Sequence, residues 1–256
     1  MIERFEVEIP SLTGDKKRKA YVYLPYGYGK GNKRYPVIYM FDGHNLFSDK
    51  EATFGKCWGL SDYLDKTKTE LIVAAVECNH EGNNRLSEYS PVDFHFKNGE
   101  KIVGKGKKYM DWLVKVFKPY IDENYLTLPE RQNTAIGGSS MGGLMTLYAL
   151  SKYNKYFSKG AALSPSLWAC GGGVPEFIQN AKFSKDTQIY TDYGSREFVN
   201  HSEQKKAFSL TCSHLIERGV AVTARVVLGG THSEASWEKQ IPIFMNALGF
   251  APHDNI

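Results

Sequence analysis

The alternation of apolar and polar positions predicts two kinds of strand. Residues 5–9 alternate apolar with charged side chains, as in a strand with one exposed face, and residues 20–25 predict a second strand after a turn. Residues 35–41 and 71–76 are uninterrupted apolar runs, which indicate strands buried on both faces of a sheet. Further strands are predicted at residues 131–136, 160–164, 187–192 and 221–228.

Predicted helices alternate with the later strands, at residues 60–66, 109–125, 144–150, 197–218 and 233–248. Pro119 is expected to kink or end the second of these, and Ser233 is a candidate N-cap of the last. This alternation predicts an α/β fold with a mostly parallel central sheet, antiparallel N-terminal strands and helices on both faces. Residues 1–256 are long enough for one large core, so we expect a single domain.

Residues 77–108 show no clear periodicity. Long segments of this kind in compact domains are usually functional or disordered, and the aromatic residues Tyr89, Phe94 and Phe96 argue against disorder. We therefore expect a wall or lid over a binding site. Arg85 is a candidate substrate contact, with a surface ion pair as the alternative.

The segment at residues 136–143 carries the candidate nucleophile. Its Gly138-x-Ser140-x-Gly142 pattern lies between a predicted strand and a predicted helix, which is the context of a nucleophile elbow. A serine at such a sharp turn has a strained backbone, and its neighbours two positions away must lack side chains. We therefore predict Ser140 as a nucleophile.

A serine hydroxyl needs a base to take its proton, and that base needs a third group to orient it. His232 follows the last predicted strand in a glycine-bounded turn, at the sheet edge where open α/β folds bind ligands. Two acids follow the preceding strand, Asp192 and Glu197, and the longer Glu197 at a helix start is favoured. Either choice keeps the order serine, acid, histidine of α/β-hydrolases.

An oxyanion hole needs two backbone donors. One is expected from Met141, directly after the nucleophile, and the other from a loop after an early buried strand. That loop is Asp42-Gly43-His44-Asn45, and we predict the N–H of His44 as the second donor.

Composition excludes several other classes of function. The chain is 42% hydrophobic and 23% charged, with a net charge of +4 and no dense basic block, so no nucleic-acid partner is expected. No apolar run is long enough for a membrane helix, and the N-terminus lacks the apolar core of a signal peptide.

The four cysteines show no C-x-x-C spacing, which favours free thiols in a reducing, cytoplasmic compartment. The histidines form no H-E-x-x-H pattern, and we expect neither a metal nor an organic cofactor.

Five segments together resemble the putative esterase family of α/β-hydrolases, which includes esterase-D-type, enterochelin esterase-like, feruloyl and acetylxylan esterases and the mycolyltransferases. The segments are residues 42–47, 138–143, 164–168, 194–197 and 230–233. The resemblance implies an α/β-hydrolase fold, with Ser140 as nucleophile, His232 as base and Glu197 where relatives carry Asp or Glu. It also implies that Trp168 lines the acyl or alcohol pocket, and it supports His44 as an oxyanion donor.

The expected reaction is hydrolysis of a small acyl or aryl ester through an acyl-enzyme, with no cofactor. Sugar-linked acetyl or feruloyl esters and siderophore-type esters are the candidate substrates. Acyl transfer by the same residues and hydrolysis of a thioester of the S-formylglutathione type remain alternatives. Because some siderophore-cleaving relatives work with a Ser–His dyad, the contribution of Glu197 stays open at this stage, as does the oligomeric state.

Overall fold

A computed structural model of the chain describes residues 1–96, 98–197 and 202–251. Its main feature is an eight-stranded sheet with the strand order β1-β2-β4-β3-β7-β8-β9-β10. The pairs β1–β2 and β2–β4 are antiparallel, and every later pair in the sheet is parallel. These strands are β1 (Ile2–Glu8), β2 (Lys17–Tyr23), β3 (Val37–Met40), β4 (Ile72–Val76), β7 (Thr134–Ser139), β8 (Lys159–Leu163), β9 (Gln188–Gly194) and β10 (Ala221–Val227).

The predicted α/β architecture is confirmed. Each strand predicted from the sequence overlaps one of these eight, and the antiparallel strands lie at the N-terminal side of the sheet. The α-helices that connect and cover the strands are α1 (Pro10–Thr13), α2 (Leu60–Thr67), α3 (Asn84–Glu88), α4 (Gly106–Trp112), α5 (Lys118–Asn124), α6 (Met141–Lys152), α7 (Glu176–Gln179), α8 (Ser202–Glu217), α9 (Glu234–Glu238) and α10 (Ile241–Ala247). No helix among the described residues has the length and apolar character needed to cross a membrane.

Two helices differ from the prediction. The helix predicted at residues 109–125 does not end at Pro119, because the π-helical turn Leu113–Phe117 joins α4 to α5 and Pro119 falls in the first turn of α5. A kink at Pro119 stays a prediction. The helix predicted at residues 233–248 is instead two helices, and Pro242 lies in the first turn of the second. Pro242 has no backbone N–H to donate, so it cannot continue the hydrogen bonds of α9. Ser233 is at the N-cap position of α9 but makes no side-chain capping bond.

Residues 77–108 are more regular than predicted. They contain α3, the short hairpin of β5 (Phe94–His95) and β6 (Lys101–Ile102), and the start of α4. The elements are too short to leave a periodic signature in the sequence. The helix predicted from residue 197 is described only from Ser202, since residues 198–201 lie outside the described residues.

Apolar side chains pack on both faces of the sheet. Along β3, Val37 and Tyr39 belong to one cluster of buried residues, whereas Ile38 and Met40 belong to the other. The same alternation explains why the central strands read as continuous apolar runs. Burial of each such side chain stabilises the fold by roughly 1.5–3 kcal/mol relative to exposure. The carboxyl ends of the parallel strands lie outside this apolar packing, and polar groups can be placed there.

Candidate active site

Ser140 lies in the sharp turn between β7 and α6, and its backbone is strained. Its φ of 59° and ψ of −121° are a conformation that residues other than glycine rarely adopt. A Cβ added at Gly138 or at Gly142 would lie 3.0 Å from the Cβ of Phe41. The two glycines of the motif therefore let the turn pack against the end of β3, which is the reason the sequence pattern needs them.

The hydroxyl of Ser140 contacts the loop that follows β8. Its Oγ lies 3.3 Å from Ser166 Oγ, and its backbone N–H donates to the carbonyl of Leu163 at 2.9 Å. Within the described ranges, no hydrogen bond joins Ser140 to His232. Both residues nevertheless follow parallel strands at their carboxyl ends, on the same edge of the sheet.

His232 is paired with Glu197. The Nδ1–H of His232 donates to Glu197 Oε2 at 2.8 Å, although His232 is 43% exposed and Glu197 only 2%. The other carboxylate oxygen, Oε1, accepts hydrogen bonds from the Ser164 hydroxyl at 2.8 Å and from the Gly194 N–H at 2.6 Å. The carboxylate is thus fixed at both oxygens. It selects the imidazole tautomer with the proton on Nδ1, and Nε2 has no hydrogen-bond partner among the described residues.

A close approach of two glycines brings Glu197 and His232 together. A Cβ on Gly194 would collide with the carbonyl group of Gly230, and a Cβ on Gly230 would lie 2.9 Å from the Cα of Gly194. The N–H of Arg196 also donates to the carbonyl of Gly230 at 3.0 Å. The loops after β9 and β10 therefore meet backbone to backbone, which only residues without side chains permit.

The alternative acid, Asp192, is buried elsewhere in the site. It accepts hydrogen bonds from the hydroxyl of Tyr190 at 2.7 Å and from the N–H of Ser164 at 3.2 Å. Burial raises the pKa of Asp192 to about 6, against these hydrogen bonds, which lower it. Of the two acids left open by the sequence, the structure pairs Glu197 with His232.

Sequence reasoning missed two residues that support this pair. Ser164 Oγ accepts a hydrogen bond from Trp237 Nε1 at 3.0 Å while it donates to Glu197. The Trp237 ring lies edge to face with the His232 ring, with centroids 5.0 Å apart. Ser164 directly follows β8, at the same sheet edge as Ser140, and this position could have identified it from the sequence. Trp237 on α9 has no local sequence feature that would identify it.

The two predicted oxyanion donors are both available. Among the described residues, neither the N–H of Met141 nor that of His44 finds a hydrogen-bond acceptor. Met141 begins α6, whose first N–H groups lack helical partners, and His44 lies in the 3₁₀ turn Gly43–Asn45. Burial lowers the pKa of the His44 imidazole, so the side chain adds no charge to this turn at neutral pH.

Arg85 holds the turn that carries His44. Its Nε and Nη2 donate to Asp42 Oδ1 and Oδ2, each at 2.8 Å. Burial raises the pKa of Asp42, but the charge and hydrogen bonds of Arg85 outweigh it and bring the pKa below its usual value. Asp42 has a φ of 56°, so this ion pair fixes a strained residue. Arg85 does form an ion pair, but its partner Asp42 is buried, so the pair is not the surface ion pair given as the alternative. A substrate contact for Arg85 stays a prediction.

Trp168 is part of an aromatic cluster beside the elbow. It is 38% exposed and follows Ser166 by two positions in the 3₁₀ turn Leu167–Cys170. Its ring stacks on Phe96 with centroids 6.2 Å apart and lies edge to face with Phe94 at 5.3 Å. A cavity of about 420 Å³ opens between the segments around Phe94 and Trp168. Phe94 and Phe96, which belong to residues 77–108, thus pack against Trp168, the residue predicted to line the pocket.

Comparison with known proteins decides the family. The family model described as putative esterase matches residues 11–246. The chain belongs to this family. It is therefore an esterase, as the resemblance of its five segments predicted.

Individual relatives are moderately similar. An uncharacterised Bacillus subtilis protein, YbbA, is 29% identical over 185 residues, which cover 70% of this chain and 69% of the relative. The endo-1,4-β-xylanase/feruloyl esterase of Xylanibacter ruminicola is 30% identical over 227 residues; these cover 84% of this chain but only 28% of that protein. Among solved structures, an IroE-like serine hydrolase from Shewanella oneidensis superposes with a TM-score of 0.72 at 20% identity, over 97% of this chain and 78% of the other.

Proposed function

We propose that this esterase hydrolyses carboxylic esters through a covalent acyl-enzyme on Ser140, with His232 as the base and Glu197 as its orienting acid. The observation that carries the proposal is the 2.8 Å hydrogen bond between His232 Nδ1 and the buried carboxylate of Glu197. A buried carboxylate that fixes the tautomer of a histidine, at the same sheet edge as a strained serine, is the arrangement that nucleophilic catalysis needs.

In the proposed mechanism, Ser140 Oγ exchanges its Ser166 partner for His232 Nε2 when an ester binds. Such catalytic hydrogen bonds commonly tighten only in the substrate complex. Ser140 Oγ then attacks the carbonyl carbon while His232 takes the hydroxyl proton. The same proton passes to the leaving alkoxide. A water molecule deprotonated by His232 then attacks the acyl-enzyme, the acid leaves as the bond to Ser140 Oγ breaks, and His232 returns the proton to Ser140 Oγ. Glu197 keeps Nε2 facing the reaction and stabilises the imidazolium.

The unpaired N–H groups of Met141 and His44 are proposed to bind the oxyanion that develops in this step. Both belong to turns that pack directly on each other, since a Cβ on Gly142 would lie 3.5 Å from Asp42 Oδ2. Preorganised backbone donors are effective because they need no reorganisation during the reaction. Loss of one such donor costs on the order of 3 kcal/mol in the barrier.

The aromatic cluster favours an ester of an aromatic acid. The Trp168 ring is 38% exposed and contacts the rings of Phe94 and Phe96, and Phe94 and Trp168 both line a cavity of about 420 Å³. Trp168 follows Ser166, which contacts the Ser140 hydroxyl, by two positions. Planar aryl groups stack on such rings with a gain of about 0.5–1.5 kcal/mol beyond their buried area. The feruloyl esterase named among the relatives acts within the same chemical class, and we propose a hydroxycinnamoyl or similar aryl ester as the substrate.

Covalent labelling tests the nucleophile. A fluorophosphonate probe is expected to modify Ser140 of the wild-type protein and to leave Ser140→Ala unlabelled. The rate of aryl-ester hydrolysis should fall on the order of a million-fold in the same variant. Ser139→Ala, which removes the adjacent hydroxyl, is the matched control and should be labelled like the wild type. Equal labelling of Ser140→Ala and wild type would refute the assignment.

A further inference from the structure

Three potential metal ligands, His44, Cys78 and His80, meet at the oxyanion turn. The mechanism above uses only the backbone N–H of His44, and it uses neither the His44 imidazole nor the other two residues. His44 follows β3, and Cys78 and His80 follow the neighbouring strand β4. One ligand atom of each residue lies within 4.8 Å of the ligand atoms of the other two. Cys78 Sγ lies 3.9 Å from His80 Nδ1, and the two imidazole rings are 4.6 Å apart between centroids.

The imidazole of His44 is left with one nitrogen unsatisfied. His44 is only 3% exposed, and its Nδ1 has no hydrogen-bond partner among the described residues. Its Nε2 lies 2.9 Å from the hydroxyl of Thr53. A buried polar atom without a partner is costly to the fold, so it requires an explanation. A cation at the centre of the three residues would satisfy it.

Both histidines also have the outer contacts that metal-bound imidazoles usually make. Ligating histidines typically give their second ring nitrogen to an oxygen, which orients the ring and selects the tautomer. Thr53 provides that oxygen for His44, and Glu77 Oε2 lies 3.6 Å from His80 Nε2. Glu77 is itself held in place, because its Oε1 accepts the N–H of Lys19 at 2.8 Å.

The spacing of Cys78 and His80 is close to that of two ligands of a tetrahedral ion. Zinc–sulfur and zinc–nitrogen bonds of about 2.3 and 2.0 Å place the two ligand atoms roughly 3.5 Å apart in a tetrahedral site. The observed 3.9 Å between Cys78 Sγ and His80 Nδ1 needs only a small contraction. A cavity of about 160 Å³ lined in part by Glu77, Cys78 and His80 opens to the surface and gives an ion access.

We propose that His44 Nδ1, the Cys78 thiolate and His80 Nδ1 bind one zinc ion, with a water molecule as the fourth ligand. The Cys78 thiol loses its proton to solvent as the Zn–S bond forms, and both histidines bind as neutral imidazoles. One thiolate and two imidazoles are a ligand set that suits zinc. Local sequence patterns cannot reveal this site, because His44 is far from the Cys78-x-His80 pair in the chain and only the parallel pairing of β3 with β4 joins them.

Zinc titration against a chromophoric chelator, with the full chain kept reduced, tests the proposal. Wild type is expected to bind one equivalent of Zn²⁺, and Cys78→Ser and His80→Ala should each bind at least tenfold more weakly. His80 is 51% exposed, so its removal leaves the core intact. Glu77→Gln should weaken binding about 10- to 100-fold, the usual effect of losing an outer-shell partner. Substitution with Co²⁺ should give a sulfur-to-cobalt charge-transfer band that Cys78→Ser lacks.

The matched controls are His95→Ala, another exposed histidine, and Cys212→Ser, another buried cysteine. Both should bind Zn²⁺ like the wild type. Absence of stoichiometric binding, equal affinity in wild type and His80→Ala, or a cobalt complex without the sulfur band would each overturn the proposal.

Discussion

Gly194 and Gly230 lie in direct backbone contact, and this contact sets the position of the Glu197–His232 pair. A Cβ on Gly230 would lie 2.9 Å from the Cα of Gly194. The N–H of Gly194 holds Glu197 Oε1 at 2.6 Å, while Gly230 comes two residues before His232. Glu197 and His232 can therefore lie close together because Gly194 and Gly230 have no side chains to keep their two loops apart.

Gly194→Ala tests this relationship. The added methyl group would push the two loops apart, so we expect a loss of about 1–3 kcal/mol in the free energy of unfolding. Displacement of His232 should lower kcat for an aryl ester about a hundredfold. Gly173→Ala is the control, because a Cβ there meets nothing within 4 Å, and it should change neither quantity. Normal kcat in Gly194→Ala would contradict the role given to the contact.

Glu197→Gln distinguishes a triad from a Ser–His dyad. The amide keeps the shape of the carboxylate but favours the wrong histidine tautomer, so kcat should fall by up to about 10⁴-fold. Asp192→Asn, at the other candidate acid, should leave kcat for the same ester within a few-fold of the wild type. Full activity in Glu197→Gln would indicate a dyad, and a larger loss in Asp192→Asn would show that the acid is misassigned.

Asp192 should make the folded protein less stable as the pH rises. Burial raises its pKa from an ordinary 3.8 to about 6, so between these values the folded state keeps a proton that the unfolded chain has lost. Stability from this group is fully present below the lower value and is lost as the pH passes the higher one. The loss is on the order of 3 kcal/mol. Other acids titrate in the same range, so the wild type alone does not isolate the effect.

The measurement is urea unfolding of wild type and Asp192→Asn at several pH values between about 4 and 7. The stability of the wild type relative to the variant should decline across this range, because asparagine does not titrate. A difference that stays constant with pH would show that Asp192 titrates near its ordinary pKa.

Trp168→Ala tests the proposed aryl specificity. Loss of the stacking surface should raise KM for a hydroxycinnamoyl ester about two- to tenfold and leave KM for an acetyl ester of the same alcohol unchanged. Trp168→Phe retains an aromatic face and should recover most of the affinity. Equal increases in KM for both esters would mean that Trp168 positions the loop rather than the aryl group.

Much of the fold was predictable because its signals are local. The buried central strands are continuous apolar runs in the sequence. The strand–turn–helix around Ser140 is indicated by the glycine pattern that the strained backbone requires. The single helix predicted at residues 233–248 was wrong, because two short helices in succession have nearly the same apolar spacing as one long helix. The elements of residues 77–108 were missed for a related reason. A strand repeats every two residues, so the two-residue strands β5 and β6 are too short to show a repeat.

The site was predictable only in part. Ser140 and His232 stand out by their place after parallel strands, whereas the choice between Asp192 and Glu197 depends on where two loops meet. Arg85 could bind a substrate or an ion partner as far as its sequence context goes, and the structure places it on Asp42. The link from Trp237 through Ser164 to Glu197 joins three elements with no common pattern in the chain.

The sequence by itself determined the order along the chain of the eight strands of the main sheet, the strained serine turn and the family, because periodicity, glycine requirements and short motifs act between near neighbours. Only the tertiary structure decided which acid holds His232, what Arg85 contacts, and that His44 lies beside Cys78 and His80. These are contacts between segments far apart in the chain. The register of parallel strands brings them to one edge of the sheet, and close packing of the loops then selects the partners.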